Sequence, residues 1–254
     1  MATTTNTKVD YTEKEVVSSA QSVSSASSER TLTDTNFSFS PSRTLAINAR
    51  GIGAFRLPLP ARQTEIFIHN PDDTVAYIST RDSLWSGDAV LSDPKRGNLI
   101  RTDYFFGPTR GPVLRLLQSP SVLADELKIS GKWGSRAVQF MGSGGLLLEW
   151  GYAKEKRADG NKVNLIVLNV VDGQGKEPQN RRIAQLARGQ DTRTPGTSRC
   201  AAGNGGELQI DEAARQSLEV DEAIVVATCL LMLKREIDRR RLVQCVVIAG
   251  GGGS

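Results

Sequence analysis

The chain has 254 residues, 39% of them apolar and 24% charged, with 24 Gly and 10 Pro, which is enough to bury one large core and to turn the chain many times. Thirty-two basic residues stand against 28 acidic ones, a mild surplus that argues against a nucleic-acid-binding protein. Cys200, Cys229 and Cys245 are widely spaced and odd in number with no C-x-x-C pair, so neither a disulfide framework nor a zinc site is expected.

The first residues, Met-Ala-Thr-Thr-Thr-Asn-Thr, lack the basic segment and apolar run of a secretory signal, and Ala2 stands where myristoylation needs glycine. A cytoplasmic protein is therefore expected. Residues 1 to 35 hold fifteen Ser or Thr and few apolar side chains, too few to offset the entropy of ordering, so residues 1–40 are expected to be a disordered tail.

From Thr44 the pattern changes to short alternating or apolar segments bounded by Gly, Pro, Asn or Asp. Strands are predicted at Thr44–Ala49, Ile52–Leu57, Thr64–His69, Val75–Thr80, Ala89–Leu91, Leu99–Phe105, Val113–Leu117, Glu126–Ile129, Arg136–Met141, Leu146–Tyr152, Val163–Val171 and Arg182–Arg188, with Leu208–Ile210 the weakest. Turns are predicted at Asn70–Asp73, Asp93–Asn98, Gly142–Gly145, Ala158–Asn161 and Asp172–Gly175. No helical period precedes residue 210, so no βαβ crossover is available and the strands should form an antiparallel meander. A dozen strands leave exposed edges unless the sheet closes, and a barrel or tight sandwich follows.

One strong helix is predicted from about Leu218 to Arg240. Glu219, Asp221 and Glu222 begin it, and Lys234, Arg235, Arg239, Arg240 and Arg241 end it, matching its dipole. Between them, Ala223–Leu233 is an eleven-residue run without charge, about 16 Å of helix and half of a bilayer's hydrocarbon core, so no transmembrane segment is expected. The run is apolar around the whole circumference apart from Thr228, and a helix of that kind must be surrounded on every side. In an otherwise all-strand protein, the lumen of a barrel does this. Leu242–Ile248 reads as a last strand or a docking extension, and Gly250–Ser254 as a Gly-Ser tail, either an engineered linker or native.

The fold class is thus mainly β: a closed antiparallel barrel of about 12 strands, residues 41–249, around a buried C-terminal helix. This layout resembles the tubby C-terminal-like superfamily of tubby, LURP-one-related and phospholipid scramblase proteins. It is most similar to uncharacterised fungal barrels through Tyr77–Thr80, Thr102–Pro108, Leu148–Trp150 and Asp221–Ala227, taken in order over residues 36 to 241. The resemblance implies a membrane-facing role, since tubby barrels bind phosphoinositides and scramblases act on bilayers. It carries no residue-level site: the tail lacks the cysteine cluster and proline-rich run of scramblases, and the Lys/Arg pattern of tubby proteins has no match here.

Candidate sites are few. His69 is the only histidine. Gly142-Ser143-Gly144-Gly145 does not form G-x-S-x-G, because position 141 is Met, and reads as a hairpin turn. Glu149 has no partner carboxylate in sight. Gly173–Lys176 and Gly203–Gly206 lack the spacing and helix of a phosphate loop and read as flexible loops. The protein is therefore expected to be no enzyme and to need no cofactor or metal. Residues 175 to 199 carry six basic residues against two acidic ones, and Arg181, Arg182 and Arg188 are the candidate lipid- or anion-binding residues, with alternation placing Arg182 and Arg188 on one face and Arg181 on the other. Lys234, Arg235 and Arg239–Arg241 are read as helix caps. The expected function is a non-catalytic peripheral membrane or signalling adaptor that contacts anionic phospholipid or phosphoinositide headgroups. The alternatives are a structural or protein-interaction module without lipid binding, and a carboxylate-dependent hydrolase.

Overall fold

A computed structural model of the protein describes residues 39–53, 63–107, 110–118, 126–131, 134–156, 162–171 and 181–251. The Ser-rich stretch before residue 39, the turns at 158–161 and 172–175, most of the predicted strand Ile52–Leu57 and residues 252–254 lie outside the described residues.

Twelve antiparallel strands form one closed barrel. They are β1 (Arg43–Ile47), β2 (Glu65–His69), β3 (Val75–Thr80), β4 (Ala89–Asp93), β5 (Gly97–Asp103), β6 (Val113–Leu116), β7 (Glu126–Ser130), β8 (Val138–Met141), β9 (Leu147–Lys156), β10 (Lys162–Val170), β11 (Arg181–Ala187) and β12 (Gly206–Ile210). Each strand pairs with its neighbours in sequence, and β1 closes the circle by pairing with both β2 and β12. The closing ladder runs from Arg43 opposite Ile210 to Ile47 opposite Gly206. The weakest predicted segment, Leu208–Ile210, is thus the strand that seals the wall, because Leu208 and Ile210 face the core on alternate positions while Glu207 and Gln209 do not. Ile52 makes only an isolated bridge to Ala202.

Two helices follow the barrel strands. The short α1 (Glu212–Ser217), not anticipated from periodicity, is capped by Asp211, whose carboxylate accepts the Ala214 N–H at 2.9 Å. Glu219 then adopts φ 52°, a left-handed turn, so α2 cannot begin at Leu218 as predicted. It spans Glu222–Gly251, with Asp221 Oδ1 accepting the Ala223 N–H at 2.7 Å. Nor does α2 stop at Arg240. No Gly or Pro occurs between Arg240 and Gly250, and adding a turn to a formed helix costs far less than nucleating one, so the segment read as a strand or extension continues the helix.

The main core is a cluster of inward strand residues and α2, with smaller clusters at Ile52, Ala202 and Ile237 and at Val163, Leu165, Val167 and Ala187. Trp150, Phe140, Leu45, Ile68, Leu114 and Leu186 from the wall surround Val225, Val226, Cys229, Met232 and Leu233 of the helix, all buried. Polar contacts reach α2 from many sides: Trp150 Nε1 donates to Thr228 Oγ1 at 2.9 Å, Tyr77 OH to Glu222 at 2.9 Å and Tyr104 OH to Asp238 at 2.7 Å. The helix lies inside the barrel.

Two outcomes test this packing. Val226→Asp places an unpaired charge in a fully buried position at a cost of several kcal/mol, and the chain should lose its cooperative thermal transition. Burial pushes the Cys229 thiol up to about 12, whereas Cys200 and Cys245 are exposed, so a thiol titration at pH 8 should count two reactive cysteines before denaturation and three after.

Candidate functional site: the basic mouth of the barrel

The buried and protruding parts of α2 meet at Lys234–Arg241. Lys234 Nζ lies 2.7 Å from both oxygens of Asp238 and 4.8 Å from the centre of the Tyr104 ring. Arg241 approaches the same carboxylate at 3.3 Å, and Arg81 on the wall faces it too. Tyr104 is held in place by Asp88, which accepts its N–H at 2.7 Å, and the absence of a side chain at Gly87 lets the ring pass. A cavity of about 20 Å³, room for roughly one water, lies between α2 and this part of the wall, lined among others by Arg81, Tyr104 and Lys234.

A second carboxylate, Glu236, is held by Arg188 in a two-pronged bridge of 2.7 and 3.0 Å and accepts the Gly203 N–H at 2.8 Å. Gly203–Gly206, read as a flexible loop, is buried against the helix instead. A Cβ on Gly203, at φ 76°, would stand 2.4 Å from Ile237, and one on Gly205 would stand 1.9 Å from the Ile47 carbonyl oxygen, so only glycines let the loop come this close. Tyr152 faces Glu236 and Arg239, Arg136 lies 5.7 Å over its ring, and Arg239 donates to the Ser135 carbonyl.

Among the described residues, Arg188 thus faces Glu236, Arg81, Lys234 and Arg241 face Asp238, and Arg136, Arg235 and Arg239 gather beside Tyr152 and Tyr104; Asp88, on the adjoining loop, is turned to the Tyr104 amide. Burial lowers the pKa of Lys234, Arg81 and Arg239, and neighbouring cations lower it further. At Arg188 burial opposes Glu236 and the carboxylate prevails, raising the pKa. Arg235 is only 7% exposed, sits near Arg239 and Tyr104, and its Nε has no hydrogen-bond partner, as is also true of the Nε atoms of Arg188 and Arg241. These cations do not cap the helix, as the sequence suggested, because α2 runs on to Gly251 and its last turn holds no basic residue.

The opposite mouth, at the start of α2, is balanced. Glu222 is bridged by Arg43 at 3.1 Å, Arg215 pairs with Glu212, and an open depression of about 470 Å³ there is lined by Glu219, Asp221 and Glu222 together with Arg96 and Arg215.

Of the three arginines singled out in the sequence, only Arg188 belongs to the basic mouth. Arg181 begins β11 at its other end and also has a partner. Arg182 lies on the outer wall, bonded at 2.6 Å to both Glu155 and Gln185. Arg182 and Arg188 do not share a face, because the ladder to β10 slips at Leu168/Asn169 and leaves Ile183 as an extra residue, a β-bulge that reverses the alternation between them. Ser143 donates to the Glu219 carbonyl at 3.1 Å, Glu149 accepts from Gln139 at 2.6 Å, and His69 is 3.0 Å from the Asn48 amide. His69 on β2 and Ser143 beside β8 lie six strands apart around a ring of twelve, on opposite sides. Among the described residues no group of three or more His, Cys, Asp or Glu could hold a metal ion. The chain matches no family model, no curated protein and no solved structure.

Arg188→Met would leave Glu236 buried with its main partner gone and should cost about 3–5 kcal/mol in chemical denaturation. Arg182→Met, beside a half-exposed Glu155, should cost about 1 kcal/mol or less.

Proposed function

We propose that the protein is a non-catalytic, peripheral membrane-binding module of the cytoplasm that presents the basic mouth of its barrel to anionic lipid headgroups. The observation that carries this reading is the surplus of cations around Glu236 and Asp238, with Arg235 buried there and lacking a partner at Nε. Gathering so many like charges in one place costs stability, and an anion at the mouth offsets that cost. The helix-in-barrel layout supports kinship with the tubby-like superfamily, and a role at membranes accords with it.

Binding should be salt-sensitive and tuned by the half-buried Arg240, which has no partner among the described residues and lies where α2 leaves the barrel. Each basic residue near an anionic surface contributes about 1 kcal/mol. In co-sedimentation with phosphatidylserine-containing vesicles at low salt, Arg240→Glu should weaken binding by about fivefold or more, and Arg182→Glu on the outer wall should leave it unchanged. Negligible binding to both anionic and neutral vesicles would remove the lipid reading and leave a protein partner as the better account.

A further inference from the structure

Beyond Arg241, α2 leaves the barrel with its apolar side chains uncovered. Leu242, Val243, Val246, Val247 and Ile248 are 41–67% exposed, and they make up most of the large exposed apolar side chains of the described protein. At about 100° per residue Leu242, Val243, Val246 and Val247 cover an arc of about 140° and Ile248 lies opposite them, so apolar surface faces more than one side of the axis. Gln244 interrupts this surface, and its amide donates to the Gly53 carbonyl at 3.4 Å, on the side where the helix still touches the barrel. We infer that this protruding end of α2 is a membrane anchor that inserts into one leaflet of a lipid bilayer. The inference deepens the headgroup-docking reading above, on which it rests for the orientation of the barrel.

The distribution of the apolar residues selects the bilayer over other occupants. A protein groove or a second copy covers one side of a helix and leaves the rest in water, and two turns of helix cannot supply the roughly 800 Å² per partner of a stable interface. A bilayer surrounds the helix on every side, as the barrel does a few turns earlier. The flanking chemistry agrees. The half-buried Arg240 lies at the level where lipid phosphates would lie, between Arg239 and Arg241, which are turned to Ser135 and Asp238, and Trp85, 65% exposed, stands 5.7 Å from the Arg241 guanidinium, at the depth favoured by interfacial tryptophans. The apolar part of this helix end, from Leu242 to Ala249, rises about 12 Å, within the thickness of one leaflet of a hydrocarbon core, and no helix among the described residues is long and apolar enough to cross a membrane.

Cys245 places a natural reporter within this segment. In the Cys200→Ser chain an environment-sensitive fluorophore should label Cys245 alone, since Cys229 is buried. Addition of mixed phosphatidylcholine and phosphatidylserine vesicles should shift its emission to the blue, and brominated acyl chains should quench it. Val243→Ser/Val246→Ser/Val247→Ser, all at exposed positions that folding does not need, should abolish the shift and weaken vesicle binding at physiological salt by roughly tenfold or more. That variant should keep its low-salt binding to anionic vesicles. An unchanged spectrum in a protein that still co-sediments would overturn insertion and leave headgroup docking standing. Loss of co-sedimentation with all vesicles would overturn both. A blue-shifted label without lipid, growing with protein concentration, would show that a second copy covers the segment and would likewise overturn the inference.

Discussion

From Ala223 to Leu233, about three turns, helix α2 is apolar on every side apart from Thr228, and that one property organises the rest of the molecule. Such a helix has no face to offer water, so the chain must build a wall all the way around it. A twelve-stranded sheet has the complementary difficulty, two open edges and one apolar face. Closing the sheet on the helix solves both. An eight-stranded barrel is just filled by its own side chains, whereas twelve strands enclose a wider lumen, which α2 fills here.

Apolar burial is strong but non-directional, and a smooth apolar cylinder could slide or rotate inside its sleeve. A few polar contacts at different depths prevent this. Glu222 is tied to Arg43 and Tyr77 at the first mouth, Thr228 to Trp150 midway, and Glu236 and Asp238 to Arg188 and Tyr104 at the second. Each joins α2 to a different part of the wall. Each also leaves a buried polar group unsatisfied if the helix shifts, which penalises alternative registers more than it stabilises the native one.

The two mouths differ in charge. At the start of α2 the carboxylates and arginines are nearly matched. Where the helix leaves the barrel, cations outnumber carboxylates, Trp85 stands beside Arg241, and the exposed apolar segment follows. Positive charge with an exposed tryptophan beside it, followed by an exposed apolar helix end, is the combination on which the proposed contact with a bilayer leaflet rests.

The closed antiparallel barrel, nearly all of its strands and the burial of the central helix were legible in the sequence. They depend on local alternation, turn residues and the breadth of an apolar face, all properties of short windows. What was not legible depended on contacts between distant windows. The bulge at Ile183, invisible in an unbroken run of residues, moved Arg182 to the outer wall and left Arg188 facing the helix. The Gly203–Gly206 segment, which read as slack, proved to be tightly packed, with Gly203 against Ile237 and Glu236 and Gly205 against Ile47. The C-terminal end of α2 was misread because β-branched residues suit a strand as well as a helix, and only continuation from an already formed helix decided between them. The cations at 234 to 241 looked like helix caps until the helix ran past them. The sequence determined that these charges exist and follow a buried helix. Only the tertiary structure gathered Arg81, Arg136 and Arg188 beside them, because strands far apart in the chain end at the same mouth.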